Sequence, residues 1–465
     1  MASDYELSVI ESTAGGTTVV RGAGTDDSVS VLRAQPGHYE DELPLHPANG
    51  GFHAYAFLAS ATLVELFCWS IPFSYGVFLN YYNSTLFPNG AGGGRIALVG
   101  TICTGVMYLL APVCFKLSSA MRDHMRPLLA SGLLLVIAGL LGAAFSTRDW
   151  QFMLSQGLAY ALGASILYFP TVAFATEWFP DRHGLAIGIL FSGAGAGGLV
   201  MPFAAEAMLH RYGHRTTFYI LTGVFTLAML PGLVWVKPRL PRRRLSSLDG
   251  SDKGGSIWTS PAFWMLFLGN TAQGLGNFMP GIYLPSYATD IGLSDTTASL
   301  IVSLVNGAAV PGSIITGWAS DRFDLTIVIL VSTLCSALST FFLWGFARSL
   351  GMLIPYALLY GVSAGGWSSA WSRFGSAVGG ENMKLSNVAF SLMGTSRGIG
   401  NMLAGPISTA LLKNNSGLHY GAKNYGPLIL FTGATLLASA AGSLFKLSSA
   451  CQVSMPRAVR RRRNS

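Results

Sequence analysis

Two ionisable side chains stand deep in long apolar stretches of this sequence, Glu65 and Arg397. A charge at the centre of a bilayer-crossing helix costs at least about 2.5 kcal/mol on insertion scales, so each needs a physical reason. Arginine keeps its proton under all ordinary conditions, and its planar fork of donors matches a carboxylate. That is the chemistry of holding an anion; it also suits a structural arginine bonded to helix carbonyls or to Glu65, and the sequence leaves both open. Glu65 can change protonation, either as the carrier of a coupling proton or as the counter-ion of Arg397.

Uncharged polar groups join them. Asn270, Gln273 and Asn277 stand at i, i+3 and i+7 and so share one helix face, with Gly274 and Gly276 beside them. Such a stripe in an apolar run marks either a water-filled cavity or an interhelical contact. Asn306, Tyr360 and Asn401 are further candidates for contact with a small molecule, and Trp69, Trp367 and Trp371 either line the same site or serve as ordinary membrane aromatics. A phosphate-cradling G-x-x-x-x-G-K-[ST] loop, a nucleophile elbow and a paired acidic or His-rich metal motif are all absent from the sequence, so neither an enzyme nor a bound cofactor or metal is expected. The five cysteines have no paired spacing that reads as a disulfide framework.

The elements that must position these residues are membrane helices. Of 465 residues, 51% are hydrophobic and 11% charged, against a globular norm of roughly 25% charged. Apolar runs long enough to cross a bilayer fall near 53–80, 96–117, 127–146, 150–177, 184–208 and 216–236, and again near 261–289, 297–318, 325–347, 351–372, 386–411 and 427–447. The expectation is an all-α polytopic membrane protein of about twelve transmembrane helices in two six-helix bundles, 53–236 and 261–447. A linker at 237–260, rich in Pro, Arg, Ser and Gly, separates them. Residues 1–52, polar and acidic without a cleavable leader, read as a disordered cytoplasmic tail, and 448–465 as a basic cytoplasmic one.

Placing both termini in the cytosol gives that side a roughly threefold excess of Lys and Arg, as the positive-inside rule expects. The glycosylation sequons at Asn83 and Asn414 then fall outside. The formal charge of +8 does not point to nucleic acid, because Arg242 to Arg244 and Arg460 to Arg463 follow membrane helices, where they fix topology and meet anionic lipid. Faint repetition relates the halves: Leu158 to Ala164 parallels Leu358 to Ala364, and Gly197, Gly198 and Pro202 parallel Gly398, Gly400 and Pro406. Gly193 with Gly197, and Gly394 with Gly398, have the small-xxx-small spacing of close helix contacts.

These residues resemble the major facilitator superfamily, and within it the fungal branch of the monocarboxylate-porter family. Gly317-Trp318-Ala319-Ser320-Asp321-Arg322-Phe323 is similar to the superfamily's G-x-x-x-D-R-x loop, whereas the equivalent Ser118 to His124 departs from it. Ser74 to Phe78 with Tyr81-Tyr82, Glu177-Trp178-Phe179 with Arg182 and Gly184 to Ile189, and Arg397-Gly398-Ile399-Gly400-Asn401 with Gly405-Pro406-Ile407 resemble the porter branch. Asn306 to Val310 and Gly51 to Tyr55 stand where animal monocarboxylate carriers have D-x-x-x-R and D-G-G-x-G-W, which sets lactate-type transport aside.

The resemblance implies a secondary transporter working by alternating access. It would move a small organic anion or carboxyl-bearing metabolite, coupled to protons through Glu65, with Asp321 and Arg322 securing an inner gate. Export of a larger neutral apolar secondary metabolite, with Arg397 structural, is one alternative; a non-transporting membrane receptor or sensor on the same fold is another. The expected setting is the plasma membrane and the expected working unit a monomer.

Overall fold

The computed structural model describes residues 46–88, 95–241, 257–380, 382–413 and 420–447. Most of the expected tails, the linker's 242–256 and the sequon at Asn414 lie outside the described residues.

Among the described residues all regular structure is helical, in twelve successive segments. The first six are Phe52–Leu86, Arg95–Ala120, Met125–Phe145, Asp149–Trp178 and two that run on as His183–Trp235. That last pair is parted at Gly213, whose φ of 74° takes it out of the helix. The other six are Pro261–Asp290, Asp295–Arg322, Leu325–Trp344, Leu350–Gly379, Met383–Lys413 and Gly426–Leu447. They are numbered here as the first to twelfth spans. Eight helices, or nine with the bent second span, are long and apolar enough to cross a membrane. The seventh is broken into pieces of 17 and 12 residues, and the eleventh, 31 residues long, carries Arg397; neither passes that test, and both hold candidate site residues.

Local chemistry sets the ends. Ser260, Ser294 and Asp324 each accept a hydrogen bond from a backbone N–H of the following first turn, satisfying one of its free donors. Pro261 suits the first turn of the seventh span because its missing N–H would find no helical partner there.

Four spans break near mid-length: the first at Ser74 after Pro72, the second at Leu110 with a 46° bend before Pro112, the seventh at Phe278 before Pro280, and the tenth at Gly366. Three of the four have a proline within two residues, which removes a helical hydrogen bond and clashes with the preceding turn.

Backbones approach closely where glycines face one another. Gly193 and Gly197 press on the first span at Thr62 and Leu66, and Gly394 and Gly398 press on the second at Ala111 and Tyr108. The fifth and eighth spans run together from Gly184 and Gly317 through Gly188 and Ser313 to Gly195 and Asn306. One continuous apolar core joins the first six spans to Leu325, Ile329, Trp367 to Phe374 and Ala389 to Met393 of the later ones. The remainder of the later spans, including Tyr287, Trp344, Tyr356 and Tyr425, forms a separate cluster. The two sets of spans are therefore fused at the end that carries Asp321.

A paired substitution tests this packing. A Cβ on Gly163 would lie 2.6 Å from both Gly132 O and Val136 N of the third span, whereas one on Gly223 meets nothing within 4 Å. Gly163→Ala is expected to lose about 1–3 kcal/mol through overpacking, and Gly223→Ala to be neutral or slightly stabilising. Equal thermal stabilities of the two purified variants would show that the third and fourth spans do not meet as described.

Candidate functional site

Arg397, on the eleventh span, is buried to 3% exposure, and its Nε and Nη1 have no hydrogen-bond partner. Its Cζ lies 5.5 Å from the ring centre of Phe278, at the break of the seventh span, and the Tyr108 hydroxyl lies beside the guanidinium. Gly274 packs against its backbone: a Cβ there would lie 3.1 Å from Arg397 O. Tyr360 donates a 3.0 Å hydrogen bond to Asn277 O at the same break, securing a carbonyl that the ended helix leaves free.

Glu65 is equally buried, at 2%, and its Oε2 has no partner. Glu65 and Arg397 form no ion pair with each other. Both lie within electrostatic reach of Tyr108 and Tyr168. Trp69, one turn after Glu65, lies within reach of its carboxyl group and packs on Tyr108 and Tyr168 with ring centres 4.8 and 5.8 Å away.

The polar stripe of the seventh span divides in two. Asn270 is completely bonded: Nδ2 donates to Met393 O at 2.7 Å and Ser396 Oγ at 2.6 Å, and Oδ1 accepts from Trp367 Nε1 at 2.8 Å and Trp371 Nε1 at 2.9 Å. An amide has two N–H groups and two lone pairs, so nothing remains for a ligand. Asn270 ties the seventh, tenth and eleventh spans together. Gln273 donates to Asn277 Oδ1 at 3.1 Å and keeps a buried Oε1 without a partner. Asn401, one turn beyond Arg397, is buried with both amide atoms free. Asn306 donates to Gly198 O at 3.3 Å and so bridges the eighth and fifth spans.

Of the sequence candidates, then, Arg397, Asn401, Gln273 and Glu65 keep buried atoms without a partner, Asn270 is saturated, Tyr360 and Asn306 each bond another helix, and Asn277 accepts from Gln273. Tyr108, Tyr168 and Phe278 complete the site. Nothing in the sequence distinguishes them among the 17 tyrosines and 27 phenylalanines of the chain.

At the Asp321 end the seam is closed by charge. Asp321 of the eighth span accepts hydrogen bonds from Gly184 N at 3.0 Å and Leu185 N at 2.8 Å, capping the start of the fifth span with a carboxylate. Arg373 of the tenth span and His183 at the start of the fifth lie within electrostatic reach of it. Arg322, expected to share this gate, is exposed and lies over the Trp318 ring at 5.0 Å, off the seam. The loop after the second span is organised differently. Arg122 there pairs with the buried Glu177, whose carboxylate also accepts from Arg239 N and Leu240 N.

Twelve helical segments among the described residues, four of them broken near mid-length, with buried charges that do not pair with each other, define a polytopic membrane carrier. The chain belongs to the Major Facilitator Superfamily, whose family profile matches residues 58–405 and again 266–450. An MFS transporter of Aspergillus flavus, asaE, is 25% identical over 402 residues, covering 86% of this chain and 89% of that protein. The fujikurins efflux protein of Gibberella fujikuroi is 27% identical over 338 residues, covering 70% of this chain and 69% of that one. The transporter FucP, crystallised in its outward conformation, superposes with a TM-score of 0.60 at 14% identity, over 84% of this chain and 98% of its own.

Two measurements test the site. Asn270→Leu strands the Trp367 and Trp371 indole N–H groups and is expected to cost about 2–4 kcal/mol, whereas Asn401→Leu removes an amide that bonds nothing and should cost under ~1 kcal/mol. Comparable melting temperatures for the two would mean that Asn401 has a partner. At the seam, Asp321→Ala should raise maleimide labelling of a cysteine placed at buried Ser313 by about fivefold, the shift that ~1 kcal/mol of lost helix capping produces. Arg322→Ala should leave labelling unchanged.

Proposed function

We propose that this chain is a secondary active transporter that exports a carboxyl-bearing metabolite by alternating access, with Arg397 as the anion-binding group. The observation that carries this is a guanidinium buried to 3% with two donor nitrogens unpartnered, between the two sets of spans. A permanent cation in hydrocarbon is normally paired, and its partner here is the substrate. Gln273 Oε1 and Asn401 offer neutral hydrogen bonds beside it. Glu65 carries the coupling proton, being a buried carboxyl group that does not share its charge with Arg397.

Asp321, the start of the fifth span and Arg373 form the inner latch, and the mid-span breaks give the site its adaptable walls. The outward direction is supported by the relative named for fujikurin efflux. The motifs shared with the fungal monocarboxylate-porter branch support an organic acid, and the charge distribution supports cytoplasmic termini in the plasma membrane, with exposed Asn83 outside as a glycosylation acceptor. The working unit is a monomer. A second reading, export of a neutral apolar metabolite, draws on the aromatic walls; in it Arg397 is structural.

Arg397→Lys decides between them. A point-charge ammonium cannot reproduce the planar two-pronged contact, so substrate affinity should fall by about tenfold or more with thermal stability retained. Glu65→Gln should preserve exchange while abolishing accumulation driven by a pH gradient. A double variant Arg397→Leu/Glu65→Leu that still transports sinks both assignments.

A further inference from the structure

The seam between the two sets of spans is closed at the site by aromatic rings, and these rings flank both unpartnered charges. Trp371 of the tenth span meets Tyr108 of the second with ring centres 6.0 Å apart at 68°, and Phe191 of the fifth at 6.3 Å and 80°. Phe73 of the first span meets Phe278 of the seventh at 6.1 Å. On one side Trp69 extends this belt to Glu65, and on the other Phe278 lies under the Arg397 guanidinium. These contacts must part whenever the spans separate to admit a substrate, which exposes ring faces on both walls. Only another ring face restores what is lost: aromatic pairs are favourable beyond the area they bury, and a guanidinium stacks on a conjugated plane.

The spacing agrees with this demand. Because Tyr108 and Trp371 meet edge to face, a flat ring between them stacks on one and takes the edge of the other, which needs their centres roughly 8–9 Å apart, so the 6.0 Å pair has to open by about 2–3 Å. A saturated ring system, puckered and covered with hydrogens on both faces, needs a wider slot and offers no quadrupole to match.

We infer that the substrate is a flat, conjugated or aromatic acid, whose ring system inserts between Tyr108 and Trp371 while its carboxylate meets Arg397. This rests on the carboxylate reading of Arg397 and adds the shape of the body that carries the acid. The belt sorts among acids by planarity, and Arg397 selects for charge.

Three probes separate the two requirements: 2-naphthoate, its saturated counterpart trans-decalin-2-carboxylate, and the flat neutral 2-naphthamide. Each is titrated by calorimetry into the full chain in lipid nanodiscs. The naphthoate should bind about tenfold tighter than the decalin acid, the ratio expected when one ring face is matched on each side, and the naphthamide should bind weakly. Trp371→Leu should bring the ratio of the two acids to within about twofold while leaving the decalin acid little changed. Should that variant not fold, because Trp371 also bonds Asn270, Tyr108→Leu provides the same comparison. Equal binding of the two acids to the wild type overturns the planar inference and leaves the carboxylate reading standing. Naphthamide binding as tightly as naphthoate, or no binding of either acid to folded protein, overturns both.

Discussion

The structure depends on keeping a guanidinium and a carboxyl group buried and apart. Had Arg397 and Glu65 met, they would have formed one more interhelical ion pair, like Arg122 with Glu177 at the Asp321 end. Separated, each remains an uncompensated polar group in an apolar surrounding, which is tolerable only where something else completes it. Tyr108 and Tyr168 lie within reach of both, and Gly274 lets the backbones of the seventh and eleventh spans approach at Arg397.

The rest of the site divides into groups that bond across helices and groups that keep unpartnered atoms. Asn270 holds three spans with four hydrogen bonds, Tyr360 secures the broken end of the seventh span, and Asn306 ties the fifth span to the eighth. They supply the rigidity against which Arg397, Asn401 and Gln273 hold their free atoms in place. A site can keep unsatisfied groups only if its frame is satisfied, since otherwise the helices would turn to pair them.

At the Asp321 end a polar contact is added to the apolar core that joins the two sets of spans. The glycines at this end let the backbones of the fifth and eighth spans approach closely, and a carboxylate accepts from two backbone N–H groups. Such a contact is worth about 1 kcal/mol. The loop after the second span has no equivalent role among the described residues; its arginine is spent on Glu177, whose carboxylate holds the residues that follow the sixth span.

By itself the sequence determined that the chain is helical, that it crosses a membrane many times, and that Glu65 and Arg397 are its costly charges, because length, apolarity and the expense of a buried charge are local properties. It also marked Gly193, Gly197, Gly394 and Gly398 as contact positions, since helical spacing puts each pair on one face. Three matters were decided only in three dimensions: that the two charges do not pair, that Asn270 is saturated while Asn401 is free, and that Arg373 lies within reach of Asp321 while Arg322 is exposed. Hydrogen bonds join residues 97 to 126 positions apart around Asn270 and 136 to 137 positions apart at Asp321. Periodicity says which face of a helix a residue occupies, but the partner on that face is chosen by how the twelve helices pack.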